Sequence, residues 1–249
     1  MGLATVLTAL LIGTTAVAPS LPPVDADWDY QLGGNRSVPD HVTVVDRDRR
    51  AEPLEGAYSI CYVNGFQTQP DEKRFWRNHW SLVLKRGGEP VVDSAWGEWL
   101  LDIRTPAKRD RLAAIVGRWT DRCSRDGYQA VEYDNLDSFS RSHGLVSKAD
   151  AKAYAALLTA RTHDAGLAAG QKNWVELGDA GPDLGFDFAI AEECGRWREC
   201  QGYVDTYGEH VLFVEYRKRD FRWTCAHFEQ VSVVRRDIDL STTGVRRWC

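Results

Sequence analysis

The chain has 249 residues, 43% of them hydrophobic and 27% charged. These values are close to globular averages, which excludes disordered and fibrous classes. Its 36 acidic and 31 basic residues leave a formal net charge of -5, and nothing in their distribution resembles the basic stripe of a nucleic-acid binder. Ten Trp and nine Tyr against one Met bias the composition toward aromatic surfaces of the kind that stack on sugar rings, although most Trp in any protein are core.

The run ATVLTALLIGTTAVA, residues 4–18, is apolar, too short for a good membrane span, and closes on small side chains. It reads as the hydrophobic region of a signal peptide, with a cut after Ala18 or, alternatively, near Ala26. The expected organisation is a leader over residues 1–26 and one domain over 27–249, secreted, with no membrane span in the mature form. Six Cys suit an exported chain and imply three disulfides. Cys194 and Cys200 are the natural local pair, the terminal Cys249 is expected to staple to Cys225, and Cys61 is then left with Cys123. No C-x-x-C or H-x-x-x-H spacing occurs, so no metal is expected to be held by the cysteines.

Eight strand-like runs follow in order: Trp28–Leu32, Val42–Asp46, Tyr58–Asn64, Tyr128–Asp134, Gly166–Lys172, Phe186–Glu192, His210–Tyr216 and Gln230–Val234. Several are continuously apolar and β-branched, as strands buried on both faces require. Between them lie helical patterns. Residues 106–123 place Leu112, Ile115, Val116, Trp119 and Cys123 on one stripe behind Pro106. A second helix opens at Ser147 with Asp150 as its capping-box partner and stops by Gly166. A third, after Glu192, carries Trp197, Cys200, Val204 and Tyr207. Strand–helix alternation with eight strands predicts a (β/α)8 TIM-type barrel, stapled by disulfides. Its N-terminal end is irregular, because residues 33–41 are too few for a full helix.

In such a barrel the functional groups gather at the carboxyl ends of strands. Those ends carry Asp46, Tyr62 with Asn64, Asp134, Lys172 with Asn173, Glu192 with Glu193, and Glu215 with Tyr216. A strand that is apolar until it closes on a carboxylate bears a desolvation cost unless that acid faces a polar cavity. Two carboxyls on facing strand ends suit glycoside hydrolysis, where one donates a proton to the leaving oxygen and the other attacks or activates water. A cation such as Lys172 would hold one of them ionised. There is no G-x-S-x-G and no Gly-rich phosphate loop, which disfavours serine-hydrolase, nucleotidase and dinucleotide readings.

The runs Trp28-Asp-Tyr-Gln-Leu, Ile60-Cys-Tyr-Val-Asn-Gly65, Trp99-Leu-Leu-Asp-Ile-Arg104, Val131-Glu-Tyr-Asp-Asn-Leu-Asp137, Lys172-Asn173, Phe186-Asp-Phe-Ala-Ile-Ala-Glu-Glu-Cys194 and Val214-Glu-Tyr216 resemble, in order and spacing, glycoside hydrolase family 114 over most of residues 28–217. The resemblance implies a TIM-type barrel with endo-α-1,4-polygalactosaminidase activity on galactosaminogalactan-type polysaccharide, without cofactor or metal. It places Asp134 on the family's fourth-strand carboxylate and Glu192 on its sixth. Asp134 is assigned as nucleophile and Glu192 as general acid/base, with retention of configuration. Glu193 is the rival of Glu192, but only one of two successive strand residues can face the mouth. After Gly65 the chain departs from the family, and in FQTQPDEKRFW only Asp71 matches an expected cleft residue.

Tyr30, Asp46, Tyr62, Lys172, Glu215 and Tyr216 complete the expected substrate-binding set, with Asp46 and Glu215 placed to meet a substrate ammonium group. Their plain alternative is a strand-end network that holds the barrel rim. Asn135 and Asp137 are read as loop caps, Asp102 with Arg104 as a structural ion pair, and Trp96 with Trp99 as a loop that packs on itself or forms a sugar platform. The partners expected are a galactosamine-containing polysaccharide and no nucleic acid, with the protein a monomer. Two other classes stay open, a non-catalytic carbohydrate-binding barrel and a metal-dependent hydrolase ligated by Asp134, Asn135 and Asp137. Thiol titration of the denatured, unreduced protein should find no free thiol, and reduction should lower stability by about 2–5 kcal/mol per bridge. Six free thiols would refute the framework.

Overall fold

A computed structural model describes residues 18–249; the leader-like run, apart from Ala18, lies outside them. Each of the eight expected runs forms a strand: β1 (Trp28–Gln31), β2 (Val44–Asp48), β3 (Tyr58–Asn64), β4 (Ala130–Asp134), β5 (Ala168–Lys172), β6 (Phe188–Glu192), β7 (Val211–Glu215) and β8 (Ser232–Arg236). They pair in parallel in chain order, and a short β9 (Arg246–Trp248) returns antiparallel to β8. The sheet curls into a nearly closed TIM-type barrel with helices outside.

Strand alternation splits the apolar residues into two cores. Trp28, Val44, Ile60, Ala130, Phe188, Leu212 and Val234 fill the lumen. Their neighbours Cys61, Val63, Val131, Tyr133, Ala189 and Phe213 face the helices. Gly170 is small by necessity, since a β-carbon there would stand 2.7 Å from the ring of Phe188. The helix layer is built from α1 (Pro106–Asp126), α2 (Lys148–Asp164), α3 (Cys200–Tyr207) and α4 (Lys218–His227). Pro106 opens α1, and Gly127, at φ +97°, closes it by donating to the Cys123 and Ser124 carbonyls. Ser147 and Asp150 form the expected reciprocal capping box of α2.

Two departures from the sequence reading matter. The irregular opening covers two links, because neither β1–β2 nor β2–β3 contains a helix. The third expected helix breaks at Arg198, whose φ is +62°, into a four-residue turn, Cys194–Trp197, and α3. Trp197 therefore leaves the apolar stripe and stands exposed. All three disulfides pair as expected: Cys61–Cys123 joins β3 to α1, Cys194–Cys200 brackets the broken helix, and Cys225–Cys249 ties α4 to the C-terminus.

Among the described residues no ladder joins β8 to β1. Side chains close this seam. The Arg236 guanidinium, with no exposure, donates to Asp29 Oδ1 at 2.7 Å and to the Tyr30 carbonyl. Arg246 reaches Asp29 Oδ2 at 3.1 Å, and the Trp248 indole donates to the Trp28 carbonyl at 2.8 Å. Burial works to raise the Asp29 pKa, but hydrogen bonds from Arg236 and Gln31 outweigh it and hold the carboxyl below its usual range. The chain packs on the barrel floor from Ser20 onward: the Ser20 carbonyl accepts from Tyr58, and the Ala26 amide donates to Ser232. Arg236→Met should cost about 3–5 kcal/mol, because it removes the buried partner of Asp29 Oδ1 and leaves that carboxylate only the more exposed Arg36 and Arg246 on Oδ2. Denaturant midpoints check this, and a loss under ~1 kcal/mol would refute the seam's dependence on the pair.

Candidate active site

Parallel register sets Asn64 of β3 opposite Asp134 of β4 and Lys172 of β5 opposite Ile190 of β6, one lumen residue before Glu192. At the centre stands Lys172, 2% exposed, the last residue of β5. Its ammonium donates to the Tyr30 hydroxyl at 2.7 Å and lies 2.9 Å from Glu132 Oε1, 3.5 Å from Asp134 Oδ1 and 3.3 Å from Glu192 Oε2. Tyr30 in turn donates to Glu132 Oε1 at 2.8 Å. One cation thus gathers three carboxylates, and the two oxygens it takes from Asp134 and Glu192 lie within about 7 Å of each other.

The two acids are held differently. Asp134 accepts from the Tyr62 hydroxyl at 2.6 Å and from the Asn135 amide at 2.8 Å. Burial would raise its pKa; Lys172, the Tyr62 hydroxyl, the Asn135 N–H and Arg141 together reverse this and keep it below the usual carboxylate range. Glu192 accepts from the Tyr216 hydroxyl, and its backbone N–H donates to Asn173 Oδ1 at 2.8 Å. Burial and nearby carboxylates raise Tyr30, Tyr62 and Tyr216 well above their usual values, so they stay as phenols. Burial opposes charge on Lys172, but Asp134, Glu132 and Glu192 override it and secure the ammonium.

The strands β4, β5 and β6 each leave the mouth through a left-handed residue. Asn135 follows Asp134 at φ +65°, Asn173 follows Lys172 at +51°, and Glu193 follows Glu192 at +54°. Asn tolerates that conformation well and Glu less so. The sharp exits leave a cleft of about 470 Å³ above the acids, lined also by Tyr62, Trp96, Glu98 and Arg141.

Residues 12–249 match the glycoside-hydrolase family GH114. The chain belongs to this family. Among solved structures it is similar to Aspergillus fumigatus Ega3 in complex with galactosamine, with a TM-score of 0.76 and 19% identity over 95% of this chain and 100% of that one. It is similar also to the glycoside hydrolase domain of PelA from Pseudomonas aeruginosa, with a TM-score of 0.60 and 14% identity over 90% and 98%. At these identities the likeness is one of fold. No curated protein matches the sequence significantly.

In this glycoside hydrolase the expected residues divide. Asp134, Glu192, Tyr30, Tyr62 and Lys172 line one cleft, and Tyr216 reaches it through Glu192. Glu193 turns away and is held by Arg196 at 2.8 Å, so Glu192 is the acid that faces the mouth. Two placements are corrected. Asp46 is not a strand end, because β2 runs on to Asp48. It lies sealed in the lumen against Glu132, and burial and that neighbour push its pKa well up, so it keeps its proton. Glu215 points outward, where its Oε1 accepts from the Gly195 amide at 2.6 Å and from Thr224 at 3.1 Å. Neither can meet a substrate ammonium in the cleft.

Asp137 is held by Arg141 at 2.9 Å and Asp71 by Arg50 at the surface. Asp102 pairs with Arg104, as expected, and with Lys108. Trp99 is buried and packs on Trp80, whereas Trp96 is exposed at the cleft. The one cluster of potential metal ligands among the described residues is Cys194, Cys200 and Glu215, whose sulfurs are bonded to each other.

Sequence reasoning overlooked two acids. Glu132 is two residues before Asp134 and so shares its face, a signal that was available. Glu98 comes from the loop before α1, which no periodicity connects to the barrel. It accepts from Asn64 at 2.9 Å, and burial, reinforced by Asp134 and Asp93, raises its pKa to about 7.

Removing the central cation has a predictable sign. In the wild type the depressed Asp134 pKa adds stability above the unfolded value, which is lost as pH falls through the folded value. In Lys172→Met burial dominates, the Asp134 pKa rises, and stability should fall with rising pH instead. The variant should therefore lose at least ~3 kcal/mol at pH ~7 and distinctly less at pH ~4. Equal losses by urea melts at both pH values would refute the arrangement. Glu215 is raised to about 7 by burial, so its stabilising share is present below its ordinary pKa and is lost as pH rises through about 7. The stability lost by Glu215→Gln relative to wild type should shrink between pH ~5 and ~8, by up to about 3 kcal/mol.

Proposed function

We propose that this glycoside hydrolase cleaves α-1,4-linked galactosamine within galactosaminogalactan-type polysaccharide, outside the cell, as a monomer, by a retaining two-carboxylate mechanism. The observation that carries the reading is Lys172 bridging Asp134 and Glu192 on the cleft floor. In the first step Asp134 attacks the anomeric carbon while Glu192 gives its proton to the departing glycosidic oxygen. In the second, Glu192 takes a proton from water, which displaces Asp134 from the same carbon.

Tyr62 and the Asn135 amide fix the attacking carboxylate, so little reorganisation accompanies the reaction. Tyr216 and Lys172 orient Glu192. The galactosamine bound by Ega3 supports the choice of sugar. With Asp46 and Glu215 out of reach, the carboxylate suited to the substrate ammonium is Glu98, which lines the cleft and has no cationic partner within salt-bridge distance among the described residues. A bound ammonium would draw its proton off near neutral pH.

Asp134→Asn and Glu192→Gln should each lower turnover of defined galactosamine oligomers by at least ~10³-fold with the fold retained. Glu193→Gln should stay within about 10-fold of wild type, since Glu193 grips Arg196 and lies outside the cleft that holds Asp134 and Glu192, a change under ~1.4 kcal/mol of barrier. Reducing-end release measures all three. A near-normal Glu192→Gln would remove that residue from the mechanism, and binding without release by the wild type would favour a carbohydrate-binding protein. NMR of the first-formed anomer decides retention, and an inverted product would refute the nucleophile assignment.

A further inference from the structure

Trp197 is 62% exposed, the highest value among the large hydrophobic side chains of the described residues. An exposed indole forfeits a favourable burial, and this one is not loose. The Arg196 guanidinium stacks 4.5 Å from its ring centre, Arg196 is gripped by Glu193, and the Cys194–Cys200 bridge closes the turn. One ring face is thus covered and braced from behind. The rest looks onto a groove of about 540 Å³ that shares Asn173 and Glu192 with the catalytic cleft.

The groove continues the cleft past the acid/base. Glu176 and Glu199 line it beside Trp197, with Lys148 at its edge. Burial, together with Glu176, raises the Glu199 pKa above its usual value. Neither acid makes an ion pair among the described residues. Lys148 sits over the Phe139 ring, 5.7 Å away, and that ring lines the groove as well. An apolar plate next to two carboxylates that make no ion pair among the described residues matches the two faces of one ligand class, an amino sugar with an apolar ring face and an ammonium group.

We propose that this groove is a sugar subsite in which Trp197 stacks a non-acetylated amino-sugar unit of the same polymer, with its ammonium held between Glu176 and Glu199. The inference rests on the proposed substrate class. Trp96, also exposed, lines the catalytic cleft, so the two hollows that meet at Glu192 each present an indole. A chain threaded through both would be cut internally.

The test uses the Asp134→Asn protein, which binds without turning over, and calorimetric titration with galactosamine oligomers from dimer to hexamer. Adding Trp197→Ala should weaken hexamer binding roughly 10-fold, with a loss that shrinks as the oligomer shortens, and Trp197→Tyr should restore most of it. Glu176→Gln with Glu199→Gln should weaken the galactosamine hexamer but not its fully N-acetylated counterpart. Equal hexamer affinity with and without Trp197, in variants whose melting matches the parent, would overturn the subsite. If the parent binds no galactosamine oligomer of any length while wild type cleaves another glycan, the substrate reading itself fails and the subsite fails with it.

Discussion

The barrel mouth depends on one buried ammonium. Transferring a single carboxylate out of water costs several kcal/mol even after relaxation, and here Glu132, Asp134 and Glu192 converge on one point of a small lumen. Lys172 makes that convergence tolerable by contacting all three. The fourth acid, Asp46, makes no ion pair with the cation, and burial together with Glu132 outweighs the pull of Lys172 and raises its pKa. The lysine touches both cleft acids, and their other partners differ. Asp134 is nearest the phenol of Tyr62 and the amide of Asn135 and is stabilised as an anion, whereas Glu192 is steered by Tyr216 and Asn173 and remains the more exposed of the two.

Around this centre the fold grades from apolar to polar along each strand. Phe188, Ile190 and Glu192 are successive lumen residues of β6, and Ala130, Glu132 and Asp134 are those of β4. The polar layers are supported from outside as well. Glu215, on the opposite face of β7, ties down the Gly195 amide, just beyond the left-handed Glu193 and the Cys194–Cys200 bridge. The turn that aims Glu192 is therefore pinned by a backbone reversal, a disulfide and a buried carboxylate, which suits the acid/base role we propose for it.

The same logic closes the barrel. A parallel ladder between β8 and β1 is replaced by Arg236 and Arg246 converging on Asp29, and residues just after β8 reach the cleft, where Asp239 and Leu240 form part of the wall. A side-chain seam allows the chain after Arg236 to cross the mouth before β9 returns to pair with β8. The cost is reliance on a fully buried ion pair, whose loss leaves Asp29 to the more exposed Arg36 and Arg246.

Much of this was determined by the sequence alone. Continuous β-branched runs ending in carboxylates could satisfy both burial and desolvation only as parallel strands with their acids at one polar mouth. The eight strands and the Asp134 and Glu192 positions follow from that and from the resemblance they support, and the three cysteine pairs from cysteine spacing and count. Tertiary structure alone decided the rest. Asp46 and Glu215 read as strand-end acids like Asp134, yet a two-residue shift in the end of β2 sank the first into the lumen, and alternation turned the second outward. Glu98 enters from a loop with no period to follow, and Trp197 left its helical stripe because the backbone reverses at Arg198. Local pattern specifies which face a residue shares with its neighbours. Which faces meet, at what depth, and around which cation is set by packing between strands distant in the chain.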